Sequence, residues 1–185
     1  MSLLNSSTEK HSVVYVVGGP ATGKTTLVRS FLDKFYLYLI PKPKWTISGH
    51  VCAAGHYGNG KFDGADTIPF NGAMDALRFW KENDAFRCNL TFLDGDRMSN
   101  QKSLKYVSSF SQVICIHLSL DEEVRLMRSK SRSNQNEAWA KGRVTKSRRF
   151  YEGFVGHKID LNADQDPGDV ETDAKKFLYG IRYDL

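Results

Sequence analysis

The chain has 185 residues, 41% of them apolar, which is enough for one hydrophobic core and too few for two domains of ordinary size. Its three cysteines are widely spaced and form no C-x-x-C pair, so the pattern argues against a disulfide framework and a zinc site and fits a reducing cytoplasm. No stretch reaches the roughly 18 to 20 apolar residues that cross a bilayer, so no membrane association is expected. We predict a single domain over residues 1–185 with a loose tail at residues 1–11.

The net charge of +5 is concentrated in one segment of the chain. Nine lysines and arginines lie between residues 125 and 149 beside a single acid, Glu137, whereas acidic residues slightly outnumber basic ones elsewhere. Such a block can bind a triphosphate, a nucleic-acid backbone or both, and it can also be an ordinary solvated helix face.

A predicted strand followed by a glycine loop comes early in the chain. The apolar run at residues 13–17 stops at the sequence GGPATGKT, which satisfies the phosphate-binding spacing G-x-x-x-x-G-K-[ST]. We predict that Lys24 reaches the β- and γ-phosphates of a nucleotide and that the Thr25 hydroxyl holds Mg²⁺. The alternative is a glycine-rich turn without a ligand. The predicted nucleotide-binding residues are Gly18, Gly19, Pro20, Ala21, Thr22, Gly23, Lys24, Thr25 and Thr26.

Residues 53–67 are rich in glycine and suit no regular element. We predict a loop that recognises a substrate, in which aromatic side chains stack on a flat ring and a carboxylate receives a hydroxyl proton. A plain surface loop punctuated by turns is the alternative. The aromatic and acidic residues of the loop are His56, Tyr57, Phe62, Asp63 and Asp66.

A second strong strand pattern, at residues 89–94, ends in a carboxylate. An acid at the tip of a buried strand beside a phosphate-binding loop typically holds Mg²⁺ directly or through water. We assign this role first to Asp94 and second to Asp96. A polar Asp-Gly turn at the end of the strand is the alternative.

Strand and helix patterns alternate along the whole chain. Apolar spacing predicts further strands at residues 44–52, 113–118 and 157–161, and helices over residues 24–35, from Gly72 behind an Asn71 cap, over residues 100–110, from a capping box at Ser119, and from Pro167. This alternation predicts an α/β domain, namely a three-layer P-loop NTPase fold with a parallel sheet of about five strands. The basic block at residues 125–149 is expected to form an arginine-rich lid over the γ-phosphate.

Four segments carry a more specific resemblance: GGPATGKTT, KFDGADTIPFNGAMDALRFW, FLDGDRMSN and RSKSRSNQNEAWAKGRVTK. Over roughly residues 13–149 the chain resembles the P-loop kinases of bacteriophage DNA hypermodification, which phosphorylate the hydroxymethyl group of 5-hydroxymethyluracil within DNA. The resemblance implies an ATP-dependent kinase with an alcohol acceptor, with ATP, Mg²⁺ and modified DNA as its partners in the host cytoplasm. The run at residues 94–97 also resembles the strand ends of nucleoside monophosphate kinases. A kinase of a free nucleotide, nucleoside or small metabolite is therefore the alternative, and a non-catalytic ATP-binding module is a third hypothesis.

The resemblance also implies roles for individual residues. It places Lys24 and Thr25 on ATP and magnesium, and it leaves open which aspartate acts as the base. The remaining implied roles are Asp63 or Asp66 near the acceptor hydroxyl, Asp94 or Asp96 on the metal, and Arg128, Arg132 and Arg143 in the lid. A kinase that acts on a base within DNA stacks the extruded base on aromatic side chains. The candidates for contact with the substrate are Trp45, His56, Tyr57, Phe62, Asp66 and Arg97.

Overall fold

The computed structural model of the chain describes residues 11–58, 63–83, 88–130 and 137–183. Its strands are β1 (Ser12–Gly18), β2 (Tyr38–Pro41), β3 (Lys44–Ser48), β4 (Val51–Ala54), β5 (Leu90–Asp94), β6 (Gln112–Ser119) and β7 (His157–Asn162). Its helices are α1 (Lys24–Ser30), α2 (Ala73–Glu82), α3 (Gly95–Met98), α4 (Gln101–Ser108), α5 (Glu122–Lys130), α6 (Glu137–Glu152) and α7 (Pro167–Tyr183), and a short 3-10 turn covers Ala65–Thr67. Among the helices of these ranges, none has the length and apolar character needed to span a bilayer.

Within the described residues, seven strands form one sheet in the order β2-β3-β4-β5-β1-β6-β7. Strands β4, β5, β1, β6 and β7 run parallel to one another, whereas β3 runs antiparallel to both β2 and β4. The predicted α/β fold is thus confirmed, with two strands more than the predicted five. One extra strand arises because Gly49, at φ 57°, turns the predicted strand at residues 44–52 into the hairpin β3–β4. The other is β2, which the sequence pattern does not predict.

Strand β1 lies in the interior of the sheet and is covered on both faces. Side chains at alternate positions, beginning with Val13 and Tyr15, pack in a cluster with residues of α2, α4 and α6. The intervening Val14 and Val16 pack in a second cluster with residues of α1 and α7. Because both faces of β1 are buried in close-packed layers, the strand holds the glycine loop at a fixed place on the carboxyl edge of the sheet.

Three predicted helix boundaries are wrong. Helix α1 ends at Ser30 rather than near residue 35, and Phe35 does not extend its buried face because 90% of that residue is exposed. Helix α2 begins without a side-chain cap, so Asn71 does not cap it. The turn that begins α5 uses the carboxylate of Asp121, which accepts a backbone hydrogen bond at 2.8 Å, whereas Ser119 is the last residue of β6.

Candidate active site

The glycine loop joins β1 to α1 at the carboxyl edge of the sheet. The Nζ atom of Lys24 donates hydrogen bonds to the carbonyl oxygens of Gly18 and Gly19 at 3.0 and 2.7 Å. The hydroxyl of Thr22 donates to the Gly19 carbonyl at 3.0 Å, and Gly23 turns the chain into α1 with φ 87°. The loop therefore lies around the ammonium group of Lys24. The positive charge of this group can bind the phosphates of a nucleotide.

Asp94 ends β5 next to the glycine loop and is buried, with 3% of the residue exposed. Its Oδ2 atom accepts a hydrogen bond from the Thr25 hydroxyl at 3.2 Å, and its Oδ1 atom accepts one from the backbone N–H of Ala65 at 2.9 Å. Burial raises the pKa of this carboxyl, and the Ala65 hydrogen bond, the Tyr57 hydroxyl and the charge of Lys24 offset the rise only in part. The fold thus brings together Thr25 and Asp94, two of the three residues predicted to bind the metal, although 69 positions separate them in the chain.

Tyr57 is buried close to Asp94. The residue is 2% exposed, and its hydroxyl lies close to the Asp94 carboxylate. Burial, and after it the charge of Asp94, raise the pKa of Tyr57 well above its ordinary value. The phenol therefore stays protonated, and its hydroxyl helps to stabilise the ionised Asp94 carboxylate.

The oxygen atoms of Thr25 and Asp94 fit Mg²⁺ by their chemistry. Magnesium prefers oxygen ligands, and it commonly takes one or two from the protein and the others from water and substrate phosphates. Lys24 lies next to them and fits the phosphates themselves. When bound, Mg²⁺ would neutralise negative charge on the nucleotide.

The two carboxylates of the predicted substrate loop lie in different surroundings. Asp63 forms an ion pair with Arg29 of α1, and its side chain is 7% exposed. Asp66 has a side chain that is 78% exposed, and Arg97 donates to its backbone carbonyl at 2.7 Å and lies 3.7 Å from its carboxylate. The charge of Asp66 contributes to the raised pKa of Asp94. Asp63 therefore anchors the loop to α1, whereas Asp66 is exposed near the buried carboxylate.

Asp96, the second candidate metal ligand, pairs with a residue of the predicted lid. Its Oδ2 atom lies 2.5 Å from the guanidinium of Arg143, and its backbone carbonyl accepts a hydrogen bond from Lys146 at 3.4 Å. The same guanidinium lies 5.1 Å from the ring centroid of Trp139. These contacts hold α6 against the residues that follow β5. The Asp96 carboxylate is therefore paired with Arg143 in this structure.

The second helix of the predicted lid is part of the folded layer. Helix α6 packs against β1, with Ala140, Ser147 and Phe150 buried. Val144 lies so close to the glycine loop that a Cβ atom built on Gly19 would come within 2.6 Å of its Cγ2 atom. From residue 137 onward the basic block therefore packs on the sheet beside the glycine loop.

Two arginines of α5 contact different parts of the domain. Arg128 donates a hydrogen bond to the carbonyl of Ala163 at 2.9 Å. Arg125 is 3% exposed, and its Cδ atom lies 3.8 Å from the position of a Cβ atom built on Gly19. The sequence gives no reason to single out Arg125, because a basic run does not distinguish a buried arginine from an exposed one. The predicted site residues Arg132 and Phe62 lie outside the described residues.

Two of the side chains predicted to stack on a substrate lie in the core. Trp45 is fully buried and stacks on Trp80 of α2, with ring centroids 6.1 Å apart. Packing against the rest of the domain likewise buries Tyr57. The prediction that Trp45 and Tyr57 offer an open stacking surface is therefore wrong. His56 is half-buried, and its Nε2 atom lies 2.8 Å from the carbonyl oxygen of Ile40 in β2.

A family model described as P-loop Nucleotide Kinase3 matches residues 9–166 of the chain. The chain belongs to this family. A P-loop kinase is thereby confirmed, and the nature of its acceptor is a separate question. Similar solved structures include an unliganded sugar kinase from Janibacter sp. HTCC2649, with a TM-score of 0.48 and 14% identity over 91% of this chain and 94% of that chain. A shikimate kinase from Aquifex aeolicus has a TM-score of 0.47 and 14% identity over 91% of this chain and 96% of that chain. No curated protein matches the chain.

A substitution at Gly64 tests how the substrate loop of this P-loop kinase supports Asp94. Gly64 has φ 77° and ψ −156°, a combination almost confined to glycine, and a Cβ atom there would lie 2.9 Å from the Asp94 Oδ2 atom. We expect Gly64→Ala to lower the free energy of unfolding by about 1–3 kcal/mol. Kinase activity is expected to fall at least about tenfold, because the methyl group displaces the carboxylate. Urea denaturation and ATP turnover measure the two effects.

Gly49→Ala is the matched control for this substitution. Gly49 also has a positive φ, 57°, but a Cβ atom there meets nothing within 4 Å. The control is expected to lose about 1–2 kcal/mol of stability from backbone strain and to keep its activity at a temperature where both variants are folded. Equal activity losses in the two variants would contradict a specific contact between Gly64 and Asp94.

A double-mutant cycle measures the contact between Asp96 and Arg143 of the P-loop kinase. We expect Asp96→Asn and Arg143→Met to share a coupling energy of about 1 kcal/mol in urea denaturation, because the ion pair is only partly exposed. Their side chains are 21% and 27% exposed. Strict additivity of the two changes would show that this pair does not hold α6 to the segment after β5.

Proposed function

We propose that the chain is an ATP-dependent kinase that transfers the γ-phosphate to the hydroxymethyl group of 5-hydroxymethyluracil bases in phage DNA. The observation that carries the phosphotransferase part is the convergence of Lys24, Thr25 and Asp94 at the carboxyl edge of the sheet. The acceptor is assigned from the resemblance of four sequence segments to the kinases of DNA hypermodification. This assignment of the acceptor goes beyond what membership of the P-loop kinase family shows.

Each residue of the site has a role that follows from its surroundings. Lys24 binds and neutralises the transferred phosphate, and Thr25 and Asp94 hold Mg²⁺ beside it. Catalysis in this class rests on positioning and on charge neutralisation, so few reactive groups are required. Arg125 is added to the predicted set because its aliphatic stem is buried against the glycine loop, and its guanidinium, which lies 3.7 Å from Glu122, would stabilise phosphate oxygens there.

Asp66 is the better candidate for the residue that receives the proton of the acceptor hydroxyl. Its side chain is exposed, it lies near enough to Asp94 to influence the pKa of that residue, and Arg97 orients it. Asp63 is less suitable because Arg29 engages its carboxylate. An exposed carboxylate at the substrate side also suits an acceptor group that is carried on a large molecule.

Transfer of the γ-phosphate from labelled ATP tests this function directly. The parallel acceptors are DNA that contains 5-hydroxymethyluracil, unmodified DNA of the same sequence, and the free 5-hydroxymethyl nucleotide and nucleoside. Label is expected only in the modified DNA, and Asp66→Asn is expected to reduce that transfer by about 10²-fold or more. Asp75→Asn on α2, where the side chain is also 78% exposed, is the control and is expected to retain transfer.

Label that appears only in a free nucleotide or nucleoside would overturn the DNA acceptor and support the alternative of a small-substrate kinase. The alternative is favoured by one observation: half of the basic block is built into the domain as α6 and contacts the glycine loop, so it serves the nucleotide site without any DNA. Failure of all these acceptors would also overturn the DNA acceptor and would favour a small metabolite as the substrate of the P-loop kinase.

A further inference from the structure

The outer strand β2 and its flanking residues carry an unusual amount of exposed aromatic surface. Phe35 is 90% exposed, Tyr36 is 74% exposed and Tyr38 is 67% exposed. The neighbouring Leu37 and Leu39 are 36% and 44% exposed. Single exposed apolar residues are ordinary, but five in succession mark a contact surface.

Lysines flank this aromatic segment on both sides. Lys34 precedes it, Lys42 follows it in the turn to β3, and Lys44 begins β3, whereas Asp33 is the only acid between residues 33 and 44. We call residues 34–44 the basic aromatic edge. Aromatic rings interleaved with lysines match a single nucleic-acid strand, whose bases stack on rings while its phosphates contact cations.

The basic aromatic edge crosses the sheet from Tyr36 and Tyr38, toward the amino edge, to Lys42 on the side of the candidate active site. Strand β2 runs in the same direction as β4, since each is antiparallel to β3, so the turn after Pro41 lies on the carboxyl edge of the sheet. His56 of the substrate loop contacts the Ile40 carbonyl of β2 at 2.8 Å. Three strand spacings of about 4.8 Å each separate β2 from β5, which carries Asp94.

A second copy of the chain suits this edge less well than a nucleic acid does. Antiparallel pairing of β2 with itself would bring Lys34 of one copy toward Lys42 and Lys44 of the other, and like charges placed opposite each other oppose pairing. Pro41 lies within β2, and prolines and lysines on an outer strand are features that prevent edge-to-edge association.

We propose that the basic aromatic edge binds the single-stranded segment of DNA that flanks the acceptor base. Tyr36 and Tyr38 stack on neighbouring bases, and Lys42 contacts the backbone phosphates. This inference rests on the proposed function, because it names the surface through which the same active site holds its DNA. It also replaces Trp45 and Tyr57, which are buried, as the source of the stacking surface.

Binding of a fluorescein-labelled, unmodified single-stranded oligonucleotide tests the proposal by anisotropy at several salt concentrations. The double variant Tyr36→Ser/Tyr38→Ser is expected to bind at least about tenfold more weakly than the unaltered chain. Tyr179→Ser on α7 is the matched control, because that tyrosine is 59% exposed and lies outside the edge. ATP affinity is expected to be unchanged in every variant, which shows that the nucleotide site is intact.

The salt dependence supplies a second measurement. Lys42→Ala is expected to reduce the slope of log affinity against log salt by about 0.7, the value of one phosphate contact on a single strand. Lys176→Ala is the control, because that lysine is exposed on α7 and pairs with Asp173 at 3.5 Å. An unchanged slope in Lys42→Ala would show that Lys42 contacts no backbone phosphate, and it would overturn the proposal.

Three further results would overturn the inference: no binding of DNA by the unaltered chain, equal binding by Tyr36→Ser/Tyr38→Ser, or a change from dimer to monomer in sedimentation with DNA affinity retained. The last result would make a second copy the occupant. Failure of the proposed function has a different signature. If the edge variants lose DNA affinity but no phosphate reaches 5-hydroxymethyluracil, the DNA surface stands and the acceptor assignment falls.

Discussion

Lys24→Ala is expected to reduce phosphate transfer by about 10²–10³-fold, the effect of removing one preorganised charge from a reacting phosphoryl group. In the structure the Lys24 ammonium is held between two carbonyl oxygens of the glycine loop, so its position is fixed before a nucleotide arrives. Steady-state transfer from ATP and calorimetric titration with a non-hydrolysable ATP analogue measure the effects on rate and on affinity.

Lys102→Ala provides the control for this substitution. Lys102 is exposed on α4, so its removal changes the net charge by the same amount without touching the loop. The control is expected to keep both rate and affinity. A Lys24→Ala variant that transferred phosphate at the normal rate would show that the glycine loop is a structural turn, and the phosphotransferase assignment of this site would fall.

Asp94→Asn is expected to separate activity from stability. The carboxylate is proposed to hold Mg²⁺, so its loss should lower the transfer rate by about 10²-fold or more and weaken the dependence on magnesium. The folded state should not be weakened, because the amide oxygen can still accept the hydrogen bond from the Ala65 N–H. Magnesium titration of the transfer rate and urea denaturation measure the two properties.

The sign of the stability effect follows from the pKa of Asp94. Burial raises that pKa in the folded chain above its ordinary value of 3.8, so the stability of the fold falls as the pH rises from the ordinary value to the raised one. Asp94→Asn is therefore expected to gain stability relative to the unaltered chain over that pH interval, to keep the advantage above it, and to lose it below the ordinary value. Asp173→Asn, at a half-exposed position on α7, is the control and should change the stability by less than Asp94→Asn. A lower stability of Asp94→Asn at neutral pH would contradict a buried, destabilising charge.

Local patterns predicted the nucleotide side of the site. The spacing of the glycine loop, the apolar run of β1 and the acid at the end of β5 each lie within a few residues, so each can be recognised without knowledge of the rest of the fold. Because β1 and β5 run parallel, their carboxyl ends lie at the same edge of the sheet. For this reason the contact between Thr25 and Asp94 could be anticipated across 69 positions.

The substrate side could not be predicted in the same way, because its character depends on distant packing. Nothing near Trp45 in the sequence indicates that Trp80, from another element, covers it. Nothing in the loop distinguishes Asp63, which Arg29 engages, from Asp66, which is exposed. Phe35 continued the apolar spacing of α1, yet it belongs to an exposed segment. Composition alone does not distinguish an aromatic residue that packs in the core from one that binds a ligand.

The place of β1 within the sheet has a consequence for the chain as it leaves the ribosome. Ser12 of β1 pairs with Leu90 of β5 on one side and with Gln112 of β6 on the other. The hairpin β3–β4 can form from neighbouring residues, but β1 remains without partners until more than half of the chain has been made. Its apolar side chains are then open to chaperones and to other nascent chains. Slower translation between residues 18 and 90 should therefore reduce the yield of folded protein more than slower translation after residue 119.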